Sequence, residues 1–258
     1  LIVTDYAGQM CDWKKIKELS KKYKFYTIND NCHSLGSKYK NDQRYAVKFA
    51  DVVTHSFHPV KVITTGEGGC LSTNNPDIYK KVLELRSHGV IRTKELKRKY
   101  GNWYYSMNRL GYNYRMPDIN ASLGISQLKK IKKFIKKRKL IAKEYFHGFR
   151  NNKNIVLPFI ENFCDHAFHL FPVQIKFKNL QITKKIFFNK MLKLKINLQV
   201  HYIPIHLQKY YKEKFYFPKN SLKEAEIFYS NAVSLPIYYS LDEKKVRKII
   251  KDINSLTK

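Results

Sequence analysis

The sequence has no apolar run long enough to form a membrane-spanning helix. Such a helix needs about 20 consecutive apolar residues, and the uninterrupted apolar stretches here are all short. The first residues, Leu1–Thr4, are typical of a buried strand and show none of the basic, apolar and small-residue regions of a secretory signal. With 258 residues, 43% of them hydrophobic, the chain can bury a core. We expect a globular protein that starts inside a domain and has no membrane anchor.

Cysteine is also scarce. The chain has four cysteines, which lie far apart and show no CxxC spacing: Cys11, Cys32, Cys70 and Cys164. This pattern indicates neither a disulfide framework nor a zinc knuckle. We therefore expect the protein to work in the reducing cytoplasm.

Acidic residues are few. The chain has 20 Asp and Glu and 50 Lys and Arg, which gives a formal net charge of +30. Such a charge is typical of proteins that bind nucleic acid or anionic membranes. Most of it is lysine, however, whereas base recognition favours the planar guanidinium of arginine. Lysine, isoleucine, asparagine and tyrosine are abundant together, as expected for an A/T-rich genome. We attribute the charge mainly to codon bias and expect neither nucleic acid nor a membrane as a partner.

The first part of the chain alternates short apolar runs with amphipathic segments. Asp12 is placed to cap one helix, and Asn75 with Pro76 to start another. The apolar runs predict strands at Leu1–Thr4, Phe25–Ile28, Val52–His55 and Cys70–Thr73. This alternation predicts an α/β fold with a mostly parallel sheet.

The second part of the chain contains long helices. Pro117 opens one in which apolar residues recur at three- or four-residue spacing, and whose opposite face is rich in lysine between Lys129 and Lys139. The last helix is predicted to start in a capping box formed by Ser240 and Glu243.

Two domains are expected. A polar linker at Asn151–Asn154 separates a large domain, residues 1–150, from a smaller α+β domain, residues 151–258. In the smaller domain, strands are predicted near Phe168–Val173 and Leu198–Tyr202.

The segment from Ser56 to Gly69 carries the clearest chemical signal. It places Lys61 on a loop just beyond a predicted strand, at the carboxyl edge where open α/β sheets bind ligands. Partial burial there lowers the pKa of a lysine, so that its amine can form a Schiff base. Glycines at 66, 68 and 69 allow a tight turn beneath a flat ring. In isolation, a lysine beside a glycine-rich turn is more often an ordinary surface residue.

Asp30 is expected at the same edge of the sheet, after a different strand. A carboxylate there can pair with the nitrogen of a pyridine ring and keep it protonated, as pyridoxal-phosphate catalysis requires. An aspartate after a strand can equally serve as a turn cap.

Taken together, five segments resemble successive motifs of the DegT/StrS-type nucleotide-sugar aminotransferases: Asp5–Gln9, Asp30–Gly36, Ser56–Gly69, Arg86–Gly89 and Leu110–Met116. Their order and spacing match along the whole chain. The resemblance implies the fold of aspartate aminotransferase, fold type I, with pyridoxal 5'-phosphate as the cofactor and a homodimer with a shared active site.

The resemblance also implies roles for individual residues. Lys61 is similar to the catalytic lysine that carries the cofactor, and Asp30 to the partner of its pyridine nitrogen. Ser56 resembles a serine that binds the cofactor phosphate, Asn113 a residue that reaches this phosphate from the neighbouring subunit, and His33 a position lying against the cofactor.

The substrates follow from the same resemblance. The family transfers the amino group of L-glutamate to a nucleotide-linked keto-sugar. Residues 57–61, 86–89 and 200–208 are most similar to members that aminate C4 of a UDP-linked 4-keto-6-deoxy-N-acetylhexosamine for pseudaminic acid-type surface glycans. Arg115 and His201 are the candidate substrate-binding residues. A 4-amino-arabinose transaminase is the alternative within the family.

Two departures from the family pattern stand out. Asn29 and Asn31 flank Asp30 where relatives often have an acidic and a small residue, which puts the local packing in question. The family's leading segment, with its phosphate-binding Gly-Thr turn and its stacking aromatic ring, has no counterpart before Leu1. We therefore expect this chain to be catalytically incomplete and prone to association when it stands alone.

Three other classes of function fit the sequence less well. A nucleic-acid-binding protein could use the lysine-rich helix face as a phosphate track, although a solvated face is the simpler interpretation. A regulator or dehydratase of the same fold is disfavoured because Lys61 is kept. A metal enzyme is disfavoured because the histidine pairs 166 with 169 and 201 with 206 match no zinc spacing.

Overall fold

A computed structural model describes all residues from 1 to 258. The chain divides into two compact units, of which the first contains Leu1–Tyr6 and Met10–Ile131 and the second contains Ala7–Gln9 and Lys132–Lys258. The division falls inside one long helix, so the expected domain boundary at residue 150 stays a prediction. No helix combines the length and the apolar character that a membrane crossing needs.

The first unit is an α/β unit. Its strands are β1 (Ile2–Thr4), β2 (Ile28–Asp30), β3 (Lys38–Tyr39), β4 (Val52–Ser56), β5 (Gly69–Ser72), β6 (Val90–Ile91) and β7 (Ser106–Met107). Its helices are α1 (Trp13–Tyr23), α2 (Tyr45–Phe49), α3 (Pro76–Leu85) and α4 (Lys94–Tyr100), and it also holds the start of α5 (Asp118–Phe149).

The main sheet of this unit has the order β1-β2-β4-β5. The first three strands are parallel, and β5 is antiparallel to β4. Because β1, β2 and β4 run in the same direction, their carboxyl ends meet at one edge. Beneath the sheet, the unit buries a small core in which Met10, Trp13, Tyr45 and Val53 are almost completely inaccessible.

Two predicted helix starts are confirmed. Asp12 caps α1 by accepting a hydrogen bond from the Lys15 backbone amide, and the Asn75 side chain caps α3 by accepting bonds from two amides of its first turn. The predicted strand Phe25–Ile28 is wrong in its bounds, since β2 begins at Ile28. The reason is that the Phe25 amide donates back to the Ser20 carbonyl, so Phe25 belongs to the turn that ends α1.

The second unit is built from the strands β8 (Ile155–Val156), β9 (Cys164–Asp165), β10 (Phe171–Ile175) and β11 (Ala232–Leu235). Its helices are the end of α5, then α6 (Lys184–Lys193), α7 (Lys209–Lys214), α8 (Lys223–Asn231) and α9 (Glu243–Thr257). The strands β11, β10 and β8 form an antiparallel sheet. Apolar side chains from α5, α6 and α9 pack on it around Phe171, Val173 and Ile175.

Three sequence predictions for this unit are corrected. The strand expected at Phe168–Val173 starts only at Phe171, because Phe168 takes a positive φ of 51° that no strand accommodates. No strand forms at Leu198–Tyr202, where Gln199 makes a single bridge to Ser234. Helix α9 is capped by Asp242 rather than Ser240, since the Asp242 carboxylate accepts a hydrogen bond from the Lys245 amide at 2.8 Å.

Arg138 lies within the lysine-rich stretch of α5 but is buried. Its side chain turns inward and is 6% exposed, and its Nη1 atom donates to the backbone oxygens of Phe168, His169 and Ile237 at 2.8–3.1 Å. Burial lowers the pKa of Arg138 to about 10. The guanidinium therefore ties the helix to two loops of the second unit through a buried cation that has no carboxylate partner.

Candidate functional site

The candidate site lies at the carboxyl edge of the main sheet. Asp30 is the last residue of β2, and Ser56 is the last residue of the neighbouring parallel strand β4. The register pairs Asp30 with Thr54, so Ser56 lies two positions beyond it along β4. This edge is where open α/β sheets bind their ligands.

Lys61 lies on the loop that connects β4 to β5. A turn holds it, in which the Lys61 amide donates to the His58 carbonyl at 2.9 Å. The loop closes on itself, because the Phe57 amide donates to the Gly68 carbonyl at 2.8 Å and the Thr65 amide donates to the Phe57 carbonyl at 3.0 Å. Lys61 is thus presented from a structured loop rather than from a mobile surface turn.

The Lys61 side chain is half-buried, and its burial lowers the pKa of the amine. The negative charge of the Asp30 carboxylate acts in the opposite direction, as would that of Cys32 in its thiolate form. Asp30 and Cys32 therefore lie within electrostatic reach of the Lys61 amine. A lysine with a lowered pKa keeps more of its amine in the neutral, nucleophilic form.

The Asp30 carboxylate is hydrogen-bonded to the turn that follows β2. Its Oδ1 atom accepts a hydrogen bond from the Cys32 amide at 3.1 Å, so the turn-capping role considered for this residue is present. The Cys32 thiol also forms a hydrogen bond with this carboxylate, whose two oxygens together offer about four acceptor positions. Asp30 can therefore cap the turn and still offer an oxygen to a ligand.

His55 is a residue of this edge that the sequence did not indicate. It precedes Ser56 on β4, its imidazole is hydrogen-bonded to the Asn31 backbone, and its Nδ1 atom is buried without a partner. Burial lowers the pKa of His55, opposed by the Asn31 bond and by the charge of Asp30. No pattern of spacing in the sequence indicates this histidine, because its burial and its hydrogen bond depend on the neighbouring strand.

His33 follows β2 and is buried, at 6% exposure, with its ring centroid 5.9 Å from that of Tyr6. It therefore belongs to the same end of the sheet as Asp30. Cys32, between them, has its thiol pKa raised to about 11, first by burial and then by Asp30, so it stays protonated at neutral pH.

Asn113 and Arg115 lie on a different segment of the first unit. Asn113 forms a bridge with Ser87, is exposed, and shares no hydrogen bond with Lys61, Asp30 or Ser56. Arg115 is also exposed. It lines a cavity of about 740 Å³ together with Ser87, His88, Arg92 and Tyr105, among others.

His201 belongs to the second unit. Its Nδ1 atom is 2.8 Å from the Ser234 hydroxyl, which fixes the ring against β11. His206 of the same unit places its Nε2 atom 3.0 Å from a carboxylate oxygen of Glu226, beside a cavity of about 630 Å³. The chain gathers no group of three or more His, Cys, Asp or Glu side chains that could hold a metal ion.

Comparison with known proteins identifies the family. Residues 1–254 match the model of the DegT/DnrJ/EryC1/StrS aminotransferase family, and the chain belongs to this family. Its members are pyridoxal-phosphate-dependent sugar aminotransferases of fold type I, so the fold and cofactor expected from the motifs are confirmed at the level of the family.

Individual relatives are similar along almost the whole chain. The UDP-4-amino-4,6-dideoxy-N-acetyl-beta-L-altrosamine transaminase of Campylobacter jejuni is 36% identical over 97% of this chain and 63% of its own length. An uncharacterised protein of Methanocaldococcus jannaschii is 36% identical over 99% of this chain and 66% of its own length. The chain thus spans less than two thirds of these relatives.

Solved structures show the same likeness. PseC of Helicobacter pylori, an aminotransferase involved in the biosynthesis of pseudoaminic acid, has a TM-score of 0.88 at 31% identity, over 99% of this chain and 66% of that one. A putative sugar aminotransferase of Streptococcus pneumoniae in its PMP form has a TM-score of 0.87 at 27% identity, over 99% and 67%.

The side chains at the sheet edge fit the family cofactor. Pyridoxal phosphate needs an amine for its aldehyde, a carboxylate for its pyridine nitrogen and donors for its phosphate. The edge offers the Lys61 amine with a lowered pKa, the carboxylate of Asp30 and the hydroxyl of Ser56. This set of three different groups matches the three parts of the cofactor.

Proposed function

We propose that this chain forms the lysine-bearing part of a sugar aminotransferase that moves the amino group of L-glutamate to C4 of a UDP-linked 4-keto-6-deoxy-N-acetylhexosamine. The observation that carries the proposal is the placement of Lys61, Asp30 and Ser56 at one edge of the sheet, with the Lys61 amine within electrostatic reach of the Asp30 carboxylate. Family membership supplies the reaction class, and the similarity to the Campylobacter jejuni transaminase favours this sugar.

Five residues are assigned to hold the cofactor. Lys61 would attach it covalently through Nζ, and Asp30 would accept a hydrogen bond from the pyridine nitrogen through Oδ2. Ser56 would bind the phosphate, and His33 would lie beside the ring. Asn113 is assigned to the phosphate of a neighbouring subunit, which agrees with its exposure.

When bound, pyridoxal phosphate supplies an electron sink that stabilises negative charge at the carbon losing its proton. Lys61 Nζ is the group we assign to take the proton from the α-carbon of glutamate and, in the second half of the reaction, to deliver a proton at C4 of the sugar. Burial of the lysine supports this role, because an amine must be neutral to accept a proton. Glutamate leaves as 2-oxoglutarate, and the 4-keto-sugar becomes a 4-amino-sugar.

The sugar nucleotide carries a diphosphate, and the side chains assigned to it are basic. Arg115 lines its cavity with Arg92 and His88, which offers positive charge to an anionic ligand. His201 is the second candidate, with its ring fixed by Ser234. A 4-amino-arabinose nucleotide is the competing substrate, and direct assay separates the two.

A homodimer is part of the proposal. Large apolar side chains on the segment that carries Asn113 and on the first turns of α5 are exposed, with Leu110 at 86%, Ile119 at 84% and Ile125 at 59%. A surface of this kind is typical of an interface. A second copy that covers it would bring its own Asn113 into the assembly.

We place this activity in the cytoplasm. All four cysteines are free thiols, three of them partly buried. Free thiols persist in a reducing compartment.

Selective labelling tests the assignment of Lys61. The chain is exposed to pyridoxal 5'-phosphate at low concentration and reduced with borohydride, and the modified lysines are located by mass spectrometry. Lys184 is the matched control, because burial lowers its pKa to about 8 and its Nζ atom donates to the Tyr229 carbonyl, with no carboxylate partner. Reactivity alone would favour Lys184, whereas a cofactor site favours Lys61.

We expect Lys61 to be labelled first and Lys61→Ala to abolish that label. With the family's leading segment supplied, Asp30→Asn should keep the link at Lys61 far better than it keeps turnover, since the cofactor loses its pyridinium partner but not its covalent bond. Preferential labelling of Lys184 would contradict the assignment. Release of 2-oxoglutarate from glutamate, with the family's leading segment supplied and with each of the two keto-sugars in turn, decides the substrate.

A further inference from the structure

Asp5 is a fully buried carboxylate beside the candidate site, at 0% exposure and directly after β1. Its Oδ1 atom accepts hydrogen bonds from the Cys11 amide at 3.0 Å and from the Trp13 indole at 2.9 Å. Its Oδ2 atom accepts one from the Tyr45 hydroxyl at 2.8 Å. No cation pairs with it, so hydrogen bonds alone stabilise its charge.

The Oδ2 atom of Asp5 also accepts hydrogen bonds from the side chains of both residues that flank Asp30. The side-chain amide of Asn29 donates to it at 3.1 Å and that of Asn31 at 3.0 Å. The sequence analysis expects a departure from the family pattern at both of these positions. Successive side chains of a strand point to opposite faces, so tying residues 29 and 31 on one face directs Asp30 to the other.

Asp5 holds the same turn through its backbone as well. Its amide donates to the Asp30 carbonyl at 3.1 Å, and its carbonyl accepts from the Ser34 hydroxyl at 3.0 Å. The Asn31 amide continues the pairing with β4 by donating to the Thr54 carbonyl at 3.0 Å. The direction of the Asp30 side chain thus depends on contacts that converge on Asp5.

We propose that Asp5 is a positioning residue, which aims the Asp30 carboxylate at the pyridine nitrogen of the cofactor by fixing Asn29 and Asn31. This inference rests on the proposed function, because it needs Asp30 to be the pyridine partner. Asp5 touches neither cofactor nor substrate in this role and acts only through the strand end.

Asp51 is the matched control at the opposite end of β2. Its Oδ2 atom accepts hydrogen bonds from the Thr27 amide at 2.7 Å and from the Thr27 hydroxyl at 2.9 Å. Both aspartates therefore anchor β2. Asp51 holds the residue before its first residue, and Asp5 holds its last residues. Asp51→Asn should lower stability without turning Asp30, whereas Asp5→Asn should do both.

Two measurements on the 258-residue chain test the proposal. The first, without cofactor, is hydrogen exchange of the Cys32 amide, which reports its bond to Asp30 Oδ1. Asp5→Asn should speed this exchange by about tenfold, the effect of losing one hydrogen bond of ordinary strength, and Asp51→Asn should leave it within about twofold. Unchanged exchange in Asp5→Asn would overturn the proposal.

The second measurement is a double-mutant cycle on the dissociation constant for pyridoxal 5'-phosphate. If Asp5 acts through Asp30, Asp5→Asn weakens binding in the parent but adds nothing to Asp30→Asn. Losses that simply add would mean that Asp5 supports the fold and not the carboxylate. If Asp5→Asn does not fold, Asn31→Ser takes its place in both measurements, since it leaves Asp5 four donors.

The two measurements distinguish a failure of the positioning role of Asp5 from a failure of the proposed function of Asp30. Faster exchange at Cys32 in Asp5→Asn, combined with an Asp30→Asn variant whose dissociation constant for pyridoxal 5'-phosphate equals that of the parent, would remove Asp30 from the site and the positioning role with it. Unchanged exchange, combined with a strong effect of Asp30→Asn, would overturn the role of Asp5 alone.

Discussion

The Nδ1 atom of His166 accepts a hydrogen bond from the Phe168 backbone amide at 2.8 Å. The imidazole is 6% exposed, and its burial, with a smaller contribution from Lys139, lowers the pKa of His166 to about 4. A protonated ring could no longer accept this bond. The second unit is therefore built around a histidine that must stay neutral.

The first prediction is a loss of stability in mild acid. In the unfolded chain the pKa of His166 is near 6.5, whereas in the folded chain it is about 4. Between these two pH values, His166 is protonated in the unfolded chain and neutral in the folded chain. Unfolded molecules thus hold more protons in this window, and the free energy of unfolding falls as the pH drops from 6.5 to 4, by about 3 kcal/mol for the full shift.

Urea unfolding at several pH values checks this prediction. His166→Asn keeps an acceptor for the Phe168 amide and removes the titration, so its stability should vary less across the window. The control is His147→Asn on the exposed face of α5, which should follow the parent. An identical pH profile for His166→Asn and the parent would contradict the assignment.

The second prediction concerns Arg138. Replacing it with Met leaves three backbone carbonyls without their common donor, and we expect a loss of about 3 kcal/mol in the free energy of unfolding. Lys136→Met, on the exposed side of the same helix, should change stability by less than about 0.5 kcal/mol. Equal effects of the two substitutions in denaturant melts would show that the buried guanidinium stabilises nothing.

The third prediction compares two glycines with positive φ. A Cβ at Gly89, with φ 70°, would lie 1.7 Å from the Arg109 carbonyl oxygen, whereas one at Gly66, with φ 80°, would meet nothing closer than the Asn120 side chain at 3.5 Å. Gly66→Ala should cost about 1 kcal/mol, from the strained backbone alone. Gly89→Ala should cost clearly more, because the hairpin of β6 and β7 must shift. Equal costs by chemical denaturation would contradict this.

The fourth prediction tests the nucleic-acid alternative. Lys129, Lys132, Lys133 and Lys136 are all exposed on α5. Replacing the four by Gln should leave cofactor labelling at Lys61 within a few-fold of the parent, because salt screens exposed charges within about 10 Å. A tight, salt-sensitive nucleic-acid complex that these substitutions abolish would instead favour a binding function.

The sequence predicts those parts of the candidate site that depend on a motif or on the end of a strand. Lys61, Asp30 and Ser56 were placed at one edge from the order of strands and loops, and the structure puts them there. Their roles toward the cofactor stay predictions. The sequence assigns no site role to His55 or Asp5. No spacing distinguishes His55, and the motif that begins at Asp5 does not show that its carboxylate binds both residues that flank Asp30.

The same limit explains the errors in the fold. The cap of α9 was placed at Ser240, although Asp242 has the carboxylate in reach of the first free amides. The strand at Phe168–Val173 was started too early, because a positive φ at Phe168 is not visible in a run of apolar residues.

By itself the sequence determined the features that depend on neighbours within a turn or two: the caps Asp12 and Asn75, the start of α5 after Pro117, and the motif that carries Lys61. Only the tertiary structure decided what surrounds Asp5, whose donors include Tyr45, 40 residues away. It also decided the inward turn of Arg138, whose acceptor at Ile237 is 99 residues away. Hydrogen bonds between distant segments depend on how the strands and helices pack, and local spacing carries no record of that packing.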